Sequence, residues 1–411
     1  MSPPHTTILG GGIMGASVAY HLAVRGATST ILESEPQAAT LASGRAAGFL
    51  AGGWGDGSIT ERLHRTSFDM HAALAADLGL TSYRQLQTLK VDHAKRAGAP
   101  PPVEWLDGED IDVTLLDADT AQVDPAELSA ALLREAQRDG LCTLRTSAEV
   151  VAITTAAADD NPKKRVAVGV ELACGEHVAC APGDHVVVAL GPWSCLVEEW
   201  LDIPLPMEGA WSTSITYRAD GDDDAMRRMG AAPPSALFCA EDARGCHLEV
   251  YPRPNGDLYV SGCGETRVVS PQELRSGSVR PSECNAPDDT RADAAEMSLA
   301  ALSSVWRGRR AETRQACIRP CAPDALPVLG PLPALTNMHV ASGGSCWGIL
   351  WAPAMGAAMA EMLLDDGETS VINCRAFAPR RFDTLTYRSL LKQRGRHGRA
   401  TASGEAVGDS W

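Results

Sequence analysis

Gly10, Gly12 and Gly15 follow directly on an apolar pair, Ile8-Leu9, and an acid, Glu33, closes a second apolar pair, Ile31-Leu32. Glycines at this spacing, between a strand and a helix, suit the binding of a dinucleotide. Gly10 permits a tight turn, Gly12 lets a pyrophosphate approach the backbone, and Gly15 lets the helix pack closely on the strand. The helix that starts at Ile13-Met14 presents N–H groups and the positive end of its dipole to the phosphates. Glu33 is placed to accept hydrogen bonds from ribose hydroxyls, which argues against a 2′-phosphate and hence against NADP. The same three glycines could make a bland tight turn. The strand, helix, second strand and terminal acid at the right spacing favour the nucleotide. Which dinucleotide is bound does not follow from this motif, because FAD and NAD proteins share it.

Two further stretches could face a flat ligand. Leu41–Gly53 is a run of small residues, poor material for helix or strand, in which Ser43 and Arg45 could reach phosphates. A flexible surface loop is the alternative. Gly343-Gly344-Ser345-Cys346-Trp347-Gly348-Ile349 is a second glycine-rich turn. It lies between an expected strand, Met338–Ser342, and an expected helix, Ala352–Leu364, so a second helix N-terminus is available to stabilise developing negative charge.

The elements that must position these turns read as an α/β chain. His185–Leu190 is a continuous apolar run suited to a strand buried on both faces of a parallel sheet, and it ends in Gly191-Pro192-Trp193-Ser194, where α/β sheets place ligands. Asp124-Pro125 opens a helix with Leu128, Ala131, Leu132 and Ala136 inward. Ser67–Leu80 has helical periodicity, with His64 and His71 as ordinary residues on one helix face. Ser147–Thr154, Arg165–Leu172 and His177–Cys180 alternate as antiparallel strands around a solvated turn, Asp159–Lys164. From Pro204 to Arg310 short alternating strands (Trp211–Tyr217, His247–Tyr251, Asp257–Gly262) are split by acidic loops, with Asp222-Asp223-Asp224 and Pro281–Thr290 as surface insertions. Met297–Trp306 reads as a helix leading back.

Composition narrows the partners. With 52 acidic against 36 basic residues and a net charge of −16, the chain lacks the basic balance that phosphate backbones require. No apolar run reaches the ~20 residues of a spanning helix. No basic segment followed by an apolar stretch marks a secretory signal. The 12 cysteines show no paired metal-ligand spacing and read as reduced thiols. The expectation is an intracellular globular protein, cytoplasmic or organellar, with no structural metal.

Taken together, GGGIMGASVAYHLA with Glu33, the SGRAAG loop, HVVVALGPWS, and CIRPCAPDALPVLG with GGSCWGI resemble the FAD-dependent amine and amino-acid oxidoreductases, the family of D-amino-acid oxidase, glycine oxidase and sarcosine oxidase. SCWGI and EVYPR are similar to a little-characterised eukaryotic branch of that family. The resemblance runs nearly to Phe382. It implies a Rossmann-like FAD-binding domain (5–60, 115–203 and 311–382) interleaved with an antiparallel-sheet α+β substrate domain (61–114 and 204–310), followed by a mobile basic tail (383–411). It implies that FAD is held by Gly10, Gly12, Ile13, Met14, Gly15, Glu33, Ser34, Ser43, Gly44, Arg45, Ala46, Val151, Gly191, Trp193, Cys317, Gly344, Ser345, Cys346, Trp347, Gly348 and Ile349. The flavin ring would lie against Gly344–Ile349, whose helix end favours the charge that a reduced flavin carries at N1–C2=O.

Arg319 matches the arginine that holds the substrate carboxylate in members oxidising amino acids. A guanidinium fork suits a carboxylate, although a structural ion pair is the alternative. Cys317 stands where sarcosine oxidases carry a covalent flavin link, and a small buried cysteine is the alternative. Where those enzymes place an oxygen-assisting lysine, this chain has Tyr259, which leaves open whether oxygen or another acceptor takes the electrons. Arg319, Tyr259 and Trp347 are the candidate catalytic residues. The implied reaction oxidises the C–N bond of a small amine or amino acid by hydride transfer to flavin, followed by hydrolysis of the imine. A flavoprotein acting as an assembly or trafficking factor, and an NAD-dependent hydroxyacid dehydrogenase, are the alternatives.

Overall fold

The apolar pair before the first glycine turn becomes the strand Thr6–Leu9, fully buried at Ile8 and Leu9. It lies inside a six-stranded sheet ordered Val328–Pro331, Met338–Ser342, His185–Val188, Thr6–Leu9, Ser29–Leu32, Cys142–Arg145. Neighbours run parallel except for the edge strand Val328–Pro331. Val186, Val187 and Val188 are buried without alternation, as a strand covered on both faces requires. The computed structural model describes residues 3–93, 103–158, 161–218, 229 and 233–383. Asp222-Asp223-Asp224, Asp159-Asp160 and the basic tail from Thr384 onward lie outside the described residues.

One face of this sheet is covered by the helices Ile13–Val24, Pro125–Gln137 and Gly348–Leu364, which share one core with Ile8, Ile31 and Val187. Asp124 caps its helix by accepting from the Ala126 and Glu127 N–H groups, with Pro125 in the first turn. On the other face, the strands Val150–Ala158, Asn161–Leu172 and His177–Ala179 form the expected three-stranded antiparallel sheet. The solvated turn expected at Asp159–Lys164 is shorter than that, because Asn161–Lys164 already belong to a strand.

A third, larger sheet is ordered Arg267–Val269, Glu208–Tyr217, Leu258–Ser261, Glu249–Pro252, Ser235–Cys239, Arg84–His93, Ile111–Gln122, Phe49–Ala51, with Thr313–Cys321 pairing along Glu208–Tyr217. It is antiparallel but for Ser235–Cys239 beside Arg84–His93. Its two faces follow from the period of two. Ile215, Leu237, Val250 and Val260 pack toward the helix Asp289–Leu302 and Trp306. Phe238, Tyr251 and Tyr259 point the other way.

One helix comes near the length and composition of a membrane span. Ser345–Leu364 is 20 residues long and apolar enough, by length and composition alone, to cross a membrane. Its apolar character has another cause: 78% of the most apolar window is buried inside the protein, between the parallel sheet and the helix Glu61–Leu78.

His64 and His71 depart from the ordinary role expected for them. Pro353 sits inside the helix Gly348–Leu364 and has no N–H to give to Ile349. His71 Nε2 lies 3.1 Å from the Ile349 carbonyl and 3.2 Å from that of Leu350, and Ala354 N–H donates to Ser67 Oγ at 3.1 Å. The helix Glu61–Leu78 thus supplies what proline removed. His64 accepts from Trp351 Nε1 at 3.1 Å. Burial lowers both imidazoles from 6.5 to about 4, so both rings are neutral at neutral pH. Proton uptake on unfolding then makes stability fall as pH drops from 6.5 toward 4, by up to ~1.4 kcal/mol per pH unit for each ring. His71→Ala is expected to cost about 2–4 kcal/mol at pH 7 and to shallow that acid dependence by about one proton, read by denaturant unfolding at a series of pH values. An unchanged slope would show that His71 is not the group taking up the proton.

Candidate active site

The parallel register brings three turns to one edge of the six-stranded sheet, at Gly10, Gly191 and Gly343. A single cavity of about 720 Å³ runs along that edge, lined by Gly10, Gly12, Ile13, Met14, Glu33 and Ser34 at one end and by Gly344–Ile349 at the other. Gly10 has φ 103°, and a Cβ there would stand 2.5 Å from the Ala189 carbonyl oxygen. A Cβ on Gly15 would lie 2.0 Å from the Gly10 carbonyl oxygen, so only glycine permits this helix-to-strand contact. Gly15 serves packing, as expected, and is not on the cavity wall.

Glu33 is buried on that wall. Its carboxylate accepts from Gly11 N–H at 2.7 Å, Glu35 N–H at 2.9 Å and the Ser34 hydroxyl at 3.2 Å. It therefore shapes the glycine turn from beneath, in addition to facing the space where a ribose would lie. Ser43 Oγ accepts from Ile13 N–H at 2.9 Å and takes one N-terminal amide of the first helix.

Ala46, Gly191, Trp193, Cys317, Arg319, Tyr259 and Trp347 line the same cavity. Besides Gly15, three of the residues expected around the cofactor do not. Arg45 donates to the Thr40 and Ala316 carbonyls and faces a separate groove, so it fastens the small-residue loop and does not project toward phosphates. Gly44 packs against Ala39 in that same loop. Val151 is 45% exposed, while Val150, one position earlier, lines the cavity; a one-residue slip along a strand exchanges the faces.

Tyr259 presents its ring to the cavity and gives its hydroxyl to the Arg45 carbonyl at 2.9 Å. Trp347 is a wall, edge-on to Trp54 at 6.0 Å and to His64 at 4.9 Å between ring centroids. Phe49, Trp54, Phe238, Glu249 and Tyr251 complete the chamber on the sheet side. No motif marks Phe49, Trp54 or Phe238, and the resemblance of EVYPR assigns neither Glu249 nor Tyr251 to the site. The signal for Glu249 and Tyr251 was the alternation of EVYP, which puts both on one face of a strand.

Arg319 is the most exposed to electrostatic demand. Its Nε is buried without a hydrogen-bond partner, and no ion pair reaches its guanidinium among the described residues. Burial opposes its charge, but Cys321, Cys346, Cys317 and Glu249 around it outweigh that and hold it above the ordinary arginine value. Burial pushes the Cys317 thiol up, with Arg319 and Arg45 pulling it part of the way back. Cys346 has its side chain open to the cavity yet lies deep in the protein, where burial pushes its thiol up to about 11.

The model of the FAD dependent oxidoreductase (DAO) family matches residues 5–362. The chain belongs to this family. A Schizosaccharomyces pombe protein named as an oxidoreductase is 28% identical over 397 residues, covering 88% of this chain and 94% of that protein. Glycine oxidase of Bacillus licheniformis is 25% identical over 389 residues, covering 87% and 92%. Among solved structures, L-amino acid deaminase from Proteus vulgaris superposes with a TM-score of 0.72 at 17% identity, over 93% of this chain and 98% of that one, which bears on fold alone. The protein is an FAD-dependent oxidoreductase, and the NAD reading falls away. The fit is visible in the cavity itself, which joins a dinucleotide turn to a second glycine turn.

Because the Glu33 carboxylate carries three hydrogen bonds under the first turn, Glu33→Ala is expected to lower FAD affinity by about 10- to 100-fold, for a loss of ~1–3 kcal/mol. Retention of flavin absorbance through gel filtration measures it. Full retention would show that the turn holds its shape without the acid.

Proposed function

We propose that the chain oxidises the C–N bond of a small amine or amino acid that carries a carboxylate, and that Arg319 holds that carboxylate. The single observation that carries this reading is the guanidinium of Arg319, whose Nε is buried without a partner and which faces the cavity beside the second glycine turn with no counter-ion among the described residues. A charge kept in such a place is costly unless something completes it, and a bidentate carboxylate does so. The relatives support the choice, since one is named glycine oxidase.

FAD, when bound, supplies acceptance of a hydride. The residues of this chain supply the rest. Gly10–Gly15, Glu33, Ser34 and Ser43 would hold the nucleotide end, and Gly344–Ile349 with Gly191 and Trp193 the ring end. Arg319 orients the α-carbon by fixing the carboxylate, and the apolar walls of Trp347, Tyr259 and Tyr251 exclude water until an imine product leaves to be hydrolysed. No side chain need remove a proton from carbon in this scheme. The division expected above, into cofactor-binding segments 5–60, 115–203 and 311–382 and substrate segments 61–114 and 204–310, is part of this proposal.

The raised Cys317 thiol has little thiolate at neutral pH, which favours noncovalent FAD. Acid precipitation is expected to release the flavin to the supernatant. Flavin kept in the pellet, and released in Cys317→Ser, would make Cys317 the attachment point. Arg319→Gln is expected to slow anaerobic flavin reduction by carboxylate-bearing amines by about 100-fold or more, while amines without a carboxylate change little. Equal reduction rates for a carboxylate substrate would remove Arg319 from the site.

A further inference from the structure

The large sheet lays a second charge against the cavity. In its antiparallel ladder Glu249 stands opposite Phe238 on one neighbour and opposite Ser261 on the other, while Tyr251 stands opposite Tyr259. Directly opposed residues share a face, as do residues two apart along a strand. Phe238, Glu249, Tyr251, Tyr259 and Ser261 therefore project together, and all five line the cavity. Glu249 Oε2 accepts from the Tyr251 hydroxyl at 2.7 Å and the Ser261 hydroxyl at 3.1 Å. Oε1 has no hydrogen-bond partner among the described residues. Two donors on Oε2 thus fix the orientation of a carboxylate that lines the cavity and leave its other oxygen without a donor among the described residues.

Aromatic rings share this face of the sheet, with Phe238 directly opposite Glu249 and Tyr251 two residues along its strand. The Tyr251 ring lies 5.5 Å from Phe49 and 6.1 Å from Phe238, and Trp54 stands 5.1 Å and 5.0 Å from those two rings. A carboxylate within aromatic walls is the chemistry that recognises an organic cation, particularly an alkylated ammonium, whose methyl groups meet ring faces while its charge meets the acid. Arg319 lines the same cavity, and Glu249 is near enough to help hold its guanidinium charged, yet no ion pair joins the two. The cavity therefore holds a fixed cation and a fixed anion apart from each other.

We propose that Glu249 is a substrate-binding residue that receives the cationic end of a zwitterion, an ammonium-bearing carboxylate with alkyl groups on nitrogen, whose carboxylate lies on Arg319. This rests on the carboxylate reading of Arg319 given above. It concerns binding: the charge recognised is that of the zwitterion before any proton leaves nitrogen.

Four non-oxidisable probes test it on the FAD-loaded protein by calorimetric titration. They are trimethylammonioacetate and trimethylammoniobutanoate, each against the ligand of the same shape in which a tert-butyl group replaces trimethylammonium. At one or both lengths the ammonium ligand is expected to bind at least ~10-fold more tightly than its carbon counterpart. Glu249→Gln should bring the pair to within about twofold without changing affinity for the carbon ligand. Phe238→Leu, which keeps the acid and removes one ring, should reduce the preference in part, and it provides the test should Glu249→Gln fail to fold. Equal binding within both pairs, no binding of any probe, or a preference that survives Glu249→Gln would each overturn the proposal. Arg319→Gln should weaken both members of a pair alike. If it leaves every affinity unchanged while the preference still depends on Glu249, the carboxylate reading fails and the cation subsite stands.

Discussion

Everything at the site depends on one constraint, the common direction and register of four strands. Leu9 is level with Leu32 on one side and with Val188 on the other, and Val188 is level with Val340. Because those pairs are parallel, every strand delivers its next residues to the same edge of the sheet. Gly10, Glu33, Gly191 and Gly343 meet there although they span more than three hundred residues of chain. A cavity outside the carboxyl ends of parallel strands is the general consequence of this geometry. Its details come from local chemistry: a glycine where a Cβ would strike a carbonyl, and an acid that ties the turn from below.

The larger sheet contributes the opposite kind of surface. One face is filled with aliphatic side chains and is closed by a helix. The other carries large rings with Glu249, Arg319 and the ion-paired Lys90 and Asp92, and it is turned to the cavity. These polar groups are held by strands, which position them more rigidly than loops do. Arg319 and Glu249 are not paired with each other, an arrangement that costs stability and is understandable where a ligand completes the pairing.

Much of this was legible in the residues because the signals were local. Glycine spacing, the continuous apolar run at Val186–Val188 and the Asp124-Pro125 cap each express a backbone requirement that its own residues reveal. What stayed hidden was non-local. Val151 was taken for the wall in place of Val150, since strand register is set by a partner strand. Arg45 looked like a phosphate ligand, and only the fold shows the Thr40 and Ala316 carbonyls that hold it. His71 reads as ordinary because the defect it serves, the missing N–H of Pro353, lies nearly three hundred residues away, and the Trp351 indole that donates to His64 is equally remote. The rings around Glu249 come from four separate segments, and no spacing rule joins them.

The order in which the chain is made has a consequence for the cofactor. The first glycine turn is synthesised at the start, and Ser29–Leu32 soon flanks Thr6–Leu9 on one side, but its other flank stays open until His185–Val188 exists, and the opposite end of the cavity lacks its wall until Gly343–Ile349 has been made. Contacts of such long range close slowly. A nascent chain therefore carries a dinucleotide turn for most of its synthesis without a chamber to complete it. The chamber is complete only when the helix Gly348–Leu364 arrives, and its largely apolar surface is then covered by elements made before it.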